Sequence, residues 1–235
     1  MYVKTTILFA VISLVSCNGS VAQPGGKSWN DRVQVALDNT TPLRWERGSR
    51  LPLYLWPAMD GGVTDDAAAE RLVSELDRRG VGLVCSWSAG DREKCLTQAL
   101  PVARAQKKLG LPVNINATSL LYSFFNGDEK TVHIDDNGKP FFDDSFGGGK
   151  MGCPFALDFR KRDIRDRVEF YVQNYKDAGL DVGFIFADWE IDGPIEVNKA
   201  WEASKRCTRC REHIPGIEDF TVFRKTMRDM RSALQ

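Results

Sequence analysis

The segment that most constrains the fold is an unbroken apolar run at residues 183–187, which ends abruptly in three acids and a tryptophan. A run of this length without polar alternation is typical of a strand buried on both faces of a parallel sheet. Side chains alternate along a strand, so Asp188, Glu190 and Asp192 should project to one side and Trp189 to the other. Since α/β enzymes keep their chemistry at the carboxyl ends of parallel strands, these acids are candidate functional residues. The alternative is a loop that begins with solvated acids beside a structural tryptophan.

A rhythm of strand followed by helix runs through the rest of the chain. Predicted strands cover residues 51–56, 81–87, 112–117 and 182–187. The first three helices should end at Gly80, Gly110 and Gly179, because a glycine readily closes a helix. Four such units in succession predict parallel strands joined by right-handed crossovers.

These units predict the α/β class, as a TIM-barrel-like (β/α) repeat that is incomplete, with about four β/α units. A full barrel takes about 250 residues, so a fragment, a truncated reading frame and a degenerate half-barrel are all open. An open doubly wound sheet is the alternative. It is disfavoured because no glycine-rich phosphate loop follows the first strand.

The first 22 residues predict a targeting segment. Residues 5–15 form an apolar stretch of about ten residues, too short to span a bilayer but suited to a signal peptide. Cleavage could follow the small-x-small site that ends at Ala22, or Cys17 could end a bacterial lipobox and carry a lipid. The expected location is therefore secreted, or extracytoplasmic and lipid-anchored at the cell surface, with membrane contact only through that anchor.

The remaining sequence divides into an extension and one domain. Residues 23–48 are a linker or N-terminal extension, and residues 49–235 are the partial barrel domain, with a loop insertion at 119–160. That insertion contains a predicted β-hairpin around Asp136-Asn137-Gly138. Long loops after barrel strands usually build the mouth of the substrate site, and an insertion that packs on itself is the alternative.

Charge and cysteine content restrict the partners and the redox chemistry. Lys plus Arg equals Asp plus Glu, at 32 each, so net charge does not indicate a nucleic-acid partner and none is expected. Five cysteines lie outside the targeting segment: Cys85, Cys95, Cys153, Cys207 and Cys210. An oxidising compartment favours disulfide pairing of some of them, and the odd number leaves at least one unpaired.

Three tryptophans, Trp56, Trp87 and Trp189, fall at the ends of predicted strands. In a barrel these side chains would point toward one rim, where flat aromatic rings can stack on sugar rings. Polar neighbours that could bind sugar hydroxyls are Asp60, Asn114, Asn116 and Asp192. The expected partner is therefore an oligo- or polysaccharide. The alternative for each tryptophan is a place in the core.

Asp188-Trp189-Glu190 resembles the end of the signature of chitinase-like family 18 glycoside hydrolases. That resemblance implies Glu190 as the general acid and Asp188 as its partner. The implied function is a glycoside hydrolase acting on a carbohydrate. The alternatives are a non-catalytic sugar-binding or scaffold lipoprotein and an inactive fragment of a larger enzyme.

Cys207-Thr208-Arg209-Cys210, with His213 after it, is a second notable cluster. It resembles the cysteine cluster of family 42 β-galactosidase-like barrels, in which cysteines can hold zinc. Cys207, Cys210 and His213 would supply three ligands, and Cys153 or Cys95 could supply the fourth that tetrahedral zinc needs. A disulfide or free thiols are the alternatives. No organic cofactor is expected, and zinc is the one candidate metal.

Overall fold

The computed structural model describes most of the chain outside its N-terminal segment. The described residues are 29–42, 53–55, 63, 65–121, 123, 127–145, 149–187 and 200–234. The helices are α1 (Trp29–Asp38), α2 (Asp66–Asp77), α3 (Arg92–Lys108), α4 (Leu157–Asp177), α5 (Ala200–Arg206), α6 (Thr208–His213) and α7 (Phe220–Leu234). The strands are β1 (Leu53–Leu55), β2 (Val81–Ser86), β3 (Val113–Asn116), β4 (His133–Ile134), β5 (Pro140–Phe141) and β6 (Val182–Phe186).

Local sequence signals set the ends of the helices that surround the main sheet. The carboxylates of Asp65 and Asp91 each accept a hydrogen bond from the backbone N–H three residues later, which caps the first turns of α2 and α3. At the other end, Gly80, Gly110 and Gly179 adopt φ angles of 71°, 68° and 68°. Glycine enters this left-handed region without steric cost, so the predicted helix ends are confirmed at all three positions.

The main sheet has the order β1-β2-β3-β6, and every neighbouring pair is parallel. The register places Cys85 beside Ile115, and Ile115 beside Ile185. The four predicted strands are thus confirmed in order and direction. The protein is a mixed α/β structure built on a parallel sheet.

One face of this sheet is covered by helices α2, α3 and α4. Leu83, Cys85 and Trp87 share that face because side chains alternate along a strand, and Val113 and Ile115 of β3 lie beside them. The same buried cluster includes apolar residues of all three helices: Ala69, Leu72, Val73, Leu96, Ala99, Val102, Ala103, Tyr171 and Tyr175. All three crossover helices therefore lie on one side of the sheet.

A second core forms between the insertion and the last three helices. The predicted hairpin is confirmed: β4 and β5 pair antiparallel, with His133 opposite Phe141. In its turn, the Asp135 carboxylate accepts the N–H groups of Asn137 and Lys139. This core consists of Cys153, Phe155, Cys207, Cys210, Ile214, Ile217, Phe223 and Met227, with further aromatic residues at its margin.

Helix α1 lies in the segment that the sequence assigned to a linker or extension. The guanidinium of Arg79 ties its end to α2, donating to the carbonyl of Leu37 at 2.9 Å and to the Thr40 hydroxyl at 2.7 Å. None of the helices in the described ranges combines the length and the apolar character needed to cross a membrane.

Candidate functional site

Four buried side chains bring three sulfur atoms and a ring nitrogen together in the second core. They belong to His133, Cys153, Cys207 and Cys210, and their ligand atoms all lie within 4.8 Å of one another. The Cys153 Sγ is 3.5 Å from the Cys210 Sγ and 3.8 Å from the Cys207 Sγ, and the Cys210 Sγ is 3.9 Å from His133 Nδ1. None of these cysteines forms a disulfide bond. The set could hold a metal ion, and we refer to it as the Cys3His cluster.

The hairpin supplies the imidazole of the Cys3His cluster. His133 opens β4, and its ring stacks on the ring of Phe141 from the opposite strand, with centroids 5.0 Å apart. This cross-strand contact restricts the rotation of the imidazole, so Nδ1 stays directed toward Cys210.

A close backbone approach places Cys153 beside the hairpin. The Cys153 N–H donates to the carbonyl of Thr131 at 2.5 Å. A Cβ at Gly152 would lie 2.5 Å from that carbonyl oxygen and 2.6 Å from the Thr131 Cβ, closer than real atoms come. Only glycine fits at position 152, and this is what allows Cys153 to lie next to the segment that leads into His133.

Cys207 and Cys210 occupy the first turn of α6. Cys207 is the N-terminal cap residue, and Cys210 lies three residues later in the same turn. The helix is held against the hairpin by the Thr208 hydroxyl, which donates to the carbonyl of Ile134 at 3.2 Å. The spacing of the Cys-x-x-Cys motif thus places both sulfurs on the side of the turn that faces the hairpin.

The three sulfurs share negative charge. The hydrogen bonds to Cys153 and Cys210 lower the pKa of Cys207 far below its usual range. The hydrogen bond to Cys207 raises the pKa of Cys153 to about 11, and bonds to Cys153 and Cys207 raise that of Cys210 well above its usual value. Without a cation, one thiolate is therefore stabilised by two neighbouring thiols.

A buried arginine lies next to this charge. Arg160 donates to the carbonyl of Pro154 at 2.6 Å, to the Ser123 hydroxyl at 2.9 Å and to the carbonyl of Leu121 at 3.2 Å. Burial lowers its pKa to about 10. Arg160 therefore stays cationic at neutral pH and supplies a positive charge beside the sulfurs.

The structure brings together some of the residues that the sequence suggested as zinc ligands. Cys207 and Cys210 belong to the cluster, and so does Cys153, one of the two candidates for the fourth position. His213 does not: its ring stacks on Phe155 with centroids 4.9 Å apart. Cys95 lies in the other core, where its sulfur hydrogen-bonds the carbonyl of Ser86.

His133 is the ligand that sequence reasoning missed. It lies 77 positions from Cys210, outside any local spacing motif. The available signal was its place in a predicted hairpin within the same insertion as Cys153, in a chain with only two histidines.

The predicted carbohydrate residues fall in different environments. Trp87 is fully buried against the helices, stacked on Tyr171 at 5.1 Å and edge-on to Tyr175 at 5.4 Å. Trp87 does not form a stacking face at a rim, because both of its ring contacts are with tyrosines of α4; it takes a place in the core, which is the alternative stated from the sequence. Asn116 is buried at the carboxyl end of β3. The other candidates lie outside the described residues: Trp56, Asp60, Asp188, Trp189, Glu190 and Asp192.

The sheet face opposite the helices carries polar and aromatic side chains. Asn114 and Asn116 of β3 lie in register with Phe184 and Phe186 of β6, and the two phenylalanine rings are 6.2 Å apart. Both asparagines are almost fully buried, whereas 44% of the Phe184 surface is exposed. This face therefore combines amide groups with accessible aromatic surface.

No family model, curated protein or solved structure matches this chain. Functional inference therefore depends on the residues and on their geometry.

Proposed function

We propose that the Cys3His cluster binds Zn²⁺ as a structural site. The observation that carries this proposal is the spacing of the four donor atoms. A tetrahedral zinc ion with Zn–S bonds of about 2.3 Å has ligand atoms about 3.8 Å apart. Three of the six distances between these donor atoms, 3.5, 3.8 and 3.9 Å, lie within a few tenths of an ångström of that value, and all six are at most 4.8 Å. Thiolate and imidazole donors in this ratio favour zinc over harder cations.

The surroundings support a structural role for this zinc. Four protein ligands complete a tetrahedron and leave no position for water or substrate. All four side chains are buried, as is typical of a closed structural site rather than a catalytic one. The ion would join the hairpin, the loop before α4 and helix α6.

Metal content per chain tests the zinc proposal directly. Elemental analysis of the purified protein should give one zinc per chain. The Cys153→Ser variant should lose it, and the matched Cys95→Ser variant, altered in the other core, should keep it. Equal zinc content in both variants would refute the assignment of the ligands.

We further propose that the sheet belongs to a barrel-type carbohydrate-active protein, with Glu190 as the general acid of a glycoside hydrolase and Asp188 as its partner. Two observations favour this. The parallel strands follow chain order, and all three crossover helices lie on one face, whereas a doubly wound sheet places helices on both. In the sequence, β6 also ends at Phe186, only two residues before Asp188.

In this proposal, the pKa of Glu190 would be raised by the nearby carboxylate, so that it could protonate the leaving glycosidic oxygen. Hydrolysis of a panel of aryl glycosides by the unaltered protein and by Glu190→Gln tests this, with the exposed Glu169→Gln on α4 as the control. Binding without turnover in the unaltered protein would favour the non-catalytic sugar-binding alternative.

The proposal also includes export from the cytoplasm, supported by the apolar stretch at residues 5–15. Mass spectrometry of the mature N-terminus distinguishes its two forms. A lipid-modified Cys17 indicates surface anchoring, and an N-terminus at Gln23 indicates secretion. An intact Met1 would contradict both.

A further inference from the structure

Two buried amides on the sheet face opposite the helices lack hydrogen-bond partners. Neither side-chain atom of Asn114 has a partner, nor has the Nδ2 of Asn116, although both residues are at most 1% exposed. The Oδ1 of Asn116 is used, since it accepts the N–H of Thr118 at 2.8 Å. Proteins rarely leave buried amides unpaired because the lost hydration is not replaced, so each such group calls for an explanation.

The neighbouring strand makes room for the Asn114 amide. A Cβ at Gly183 would lie 3.0 Å from Asn114 Oδ1 and 3.2 Å from Pro112 Cβ. An alanine at this position would press on the amide, whereas glycine leaves it space. An apolar residue at 114 would serve a purely structural strand better, because it would bury no unpaired polar atoms.

Aromatic rings lie directly beside these amides. Asn114 is in register with Phe184, and Asn116 with Phe186. Because Phe184 is 44% exposed, solvent reaches this face one side chain away from the unpaired groups of Asn114. Amide donors and acceptors beside an aromatic ring match a sugar, which offers hydroxyls at its edge and C–H groups on its face.

We propose that Asn114 and Asn116 form a sugar-binding subsite on this face, in which the amides bind hydroxyls and Phe184 packs on the ring. This inference rests on the carbohydrate-active function proposed above, and it joins two of the sequence candidates, Asn114 and Asn116, with Phe184 in one subsite. It predicts that Asn114 is kept for binding and contributes nothing to stability.

Paired measurements of binding and stability on the full chain test the subsite. The probes are N,N′-diacetylchitobiose, lactose and cellobiose, followed by isothermal titration calorimetry. Asn114→Leu should weaken binding of the recognised disaccharide by about tenfold or more, which is the loss of one or two hydrogen bonds. Its Tm should equal or exceed that of the unaltered protein. The exposed Gln173→Leu on α4 should change neither quantity.

Three results would overturn the subsite: no probe binds the unaltered protein, Asn114→Leu binds as tightly as the unaltered protein, or Asn114→Leu lowers the Tm. The last result would show that the amide has a structural partner such as a buried water. Asn114→Ala distinguishes the effect of steric strain from the effect of losing the amide, because alanine removes the amide group and adds no bulk. Unchanged sugar binding in both variants, with hydrolysis still abolished in Glu190→Gln, would reject the subsite and leave the hydrolase proposal standing.

Discussion

Removal of zinc from the Cys3His cluster should lower the stability of the folded chain by a measurable and calculable amount. The sulfurs of Cys153 and Cys210 lie 3.5 Å apart, near tetrahedral spacing. In the zinc proposal the ion binds the folded chain and not the unfolded one, so its stabilisation follows mass action. Free zinc held at 100 times the dissociation constant contributes about 2.7 kcal/mol.

For a chain of this size, each kcal/mol corresponds to a change in Tm of about 2–4 °C. Chelation should thus lower the Tm by about 5–10 °C at that level of free zinc. The assay is thermal unfolding followed by circular dichroism, with free zinc set by a chelator buffer. Each tenfold reduction in free zinc should lower the stability by about 1.4 kcal/mol until the site is empty.

Variants at the ligands provide the control for this experiment. Cys210→Ser removes one of the four ligands, so its Tm should no longer depend on free zinc. Cys95→Ser should retain the full dependence, because Cys95 lies in the other core. A Tm that is independent of zinc in the unaltered protein, or a dependence that survives Cys210→Ser, would refute the reasoning.

Three further predictions follow from the surroundings of the cluster. The raised pKa values of Cys153 and Cys210 mean that both thiols are protonated at pH 7. Zinc binding should therefore release about two protons, and the apparent zinc affinity should rise with pH. Calorimetry in buffers of different ionisation enthalpy measures the number of protons released, and release of none would contradict the prediction. Gly152→Ala should weaken zinc binding, measured by competition with a chromogenic chelator, because its Cβ displaces the backbone from Thr131; unchanged affinity would show that the loop adapts. Arg160→Met should destabilise the chain by about 2–4 kcal/mol in urea unfolding, because buried oxygen acceptors lose their donor; a loss below about 0.5 kcal/mol would contradict that.

The sheet could be predicted from the sequence because each of its signals is local. Strands β2 and β6 are apolar runs, β3 alternates Val113 and Ile115 with asparagines, and the helices before β2, β3 and β6 end at glycines that adopt positive φ angles. Such signals act through backbone preferences within a few residues, so the positions of these strands and helix ends depend little on tertiary contacts. The order of the strands then follows from short right-handed crossovers.

Of the residues in the Cys3His cluster, the sequence motif predicted only those that lie close together in the chain. Cys207 and Cys210 lie in one helical turn, so their motif is visible in the sequence. The same logic favours His213, but one turn further along α6 its ring reaches Phe155 instead. The nitrogen ligand comes from His133 in the hairpin, and only the packing of α6 on the hairpin brings the two together.

For Trp87, the strand was predicted correctly but the role of the side chain was not. The sequence placed it at the carboxyl end of β2, where it does lie. Strand periodicity assigns it to the same face as Leu83 and Cys85, and that face is the one covered by helices. Which face of a parallel sheet receives the helices depends on the crossovers and is not encoded in a single strand, so its burial required the structure.

Arg160 connects the Cys3His cluster to the main sheet. Its guanidinium donates to the carbonyl of Pro154, one residue after Cys153, while its own helix α4 packs on the sheet. Further along that helix, the Tyr171 hydroxyl bonds both the N–H and the carbonyl of Ser88, just beyond the carboxyl end of β2. A continuous path of buried hydrogen bonds and packed side chains therefore runs from the Cys3His cluster to the sheet edge. Zinc at the cluster would thus restrict the loop before α4, and through that helix it would support the segment that follows β2.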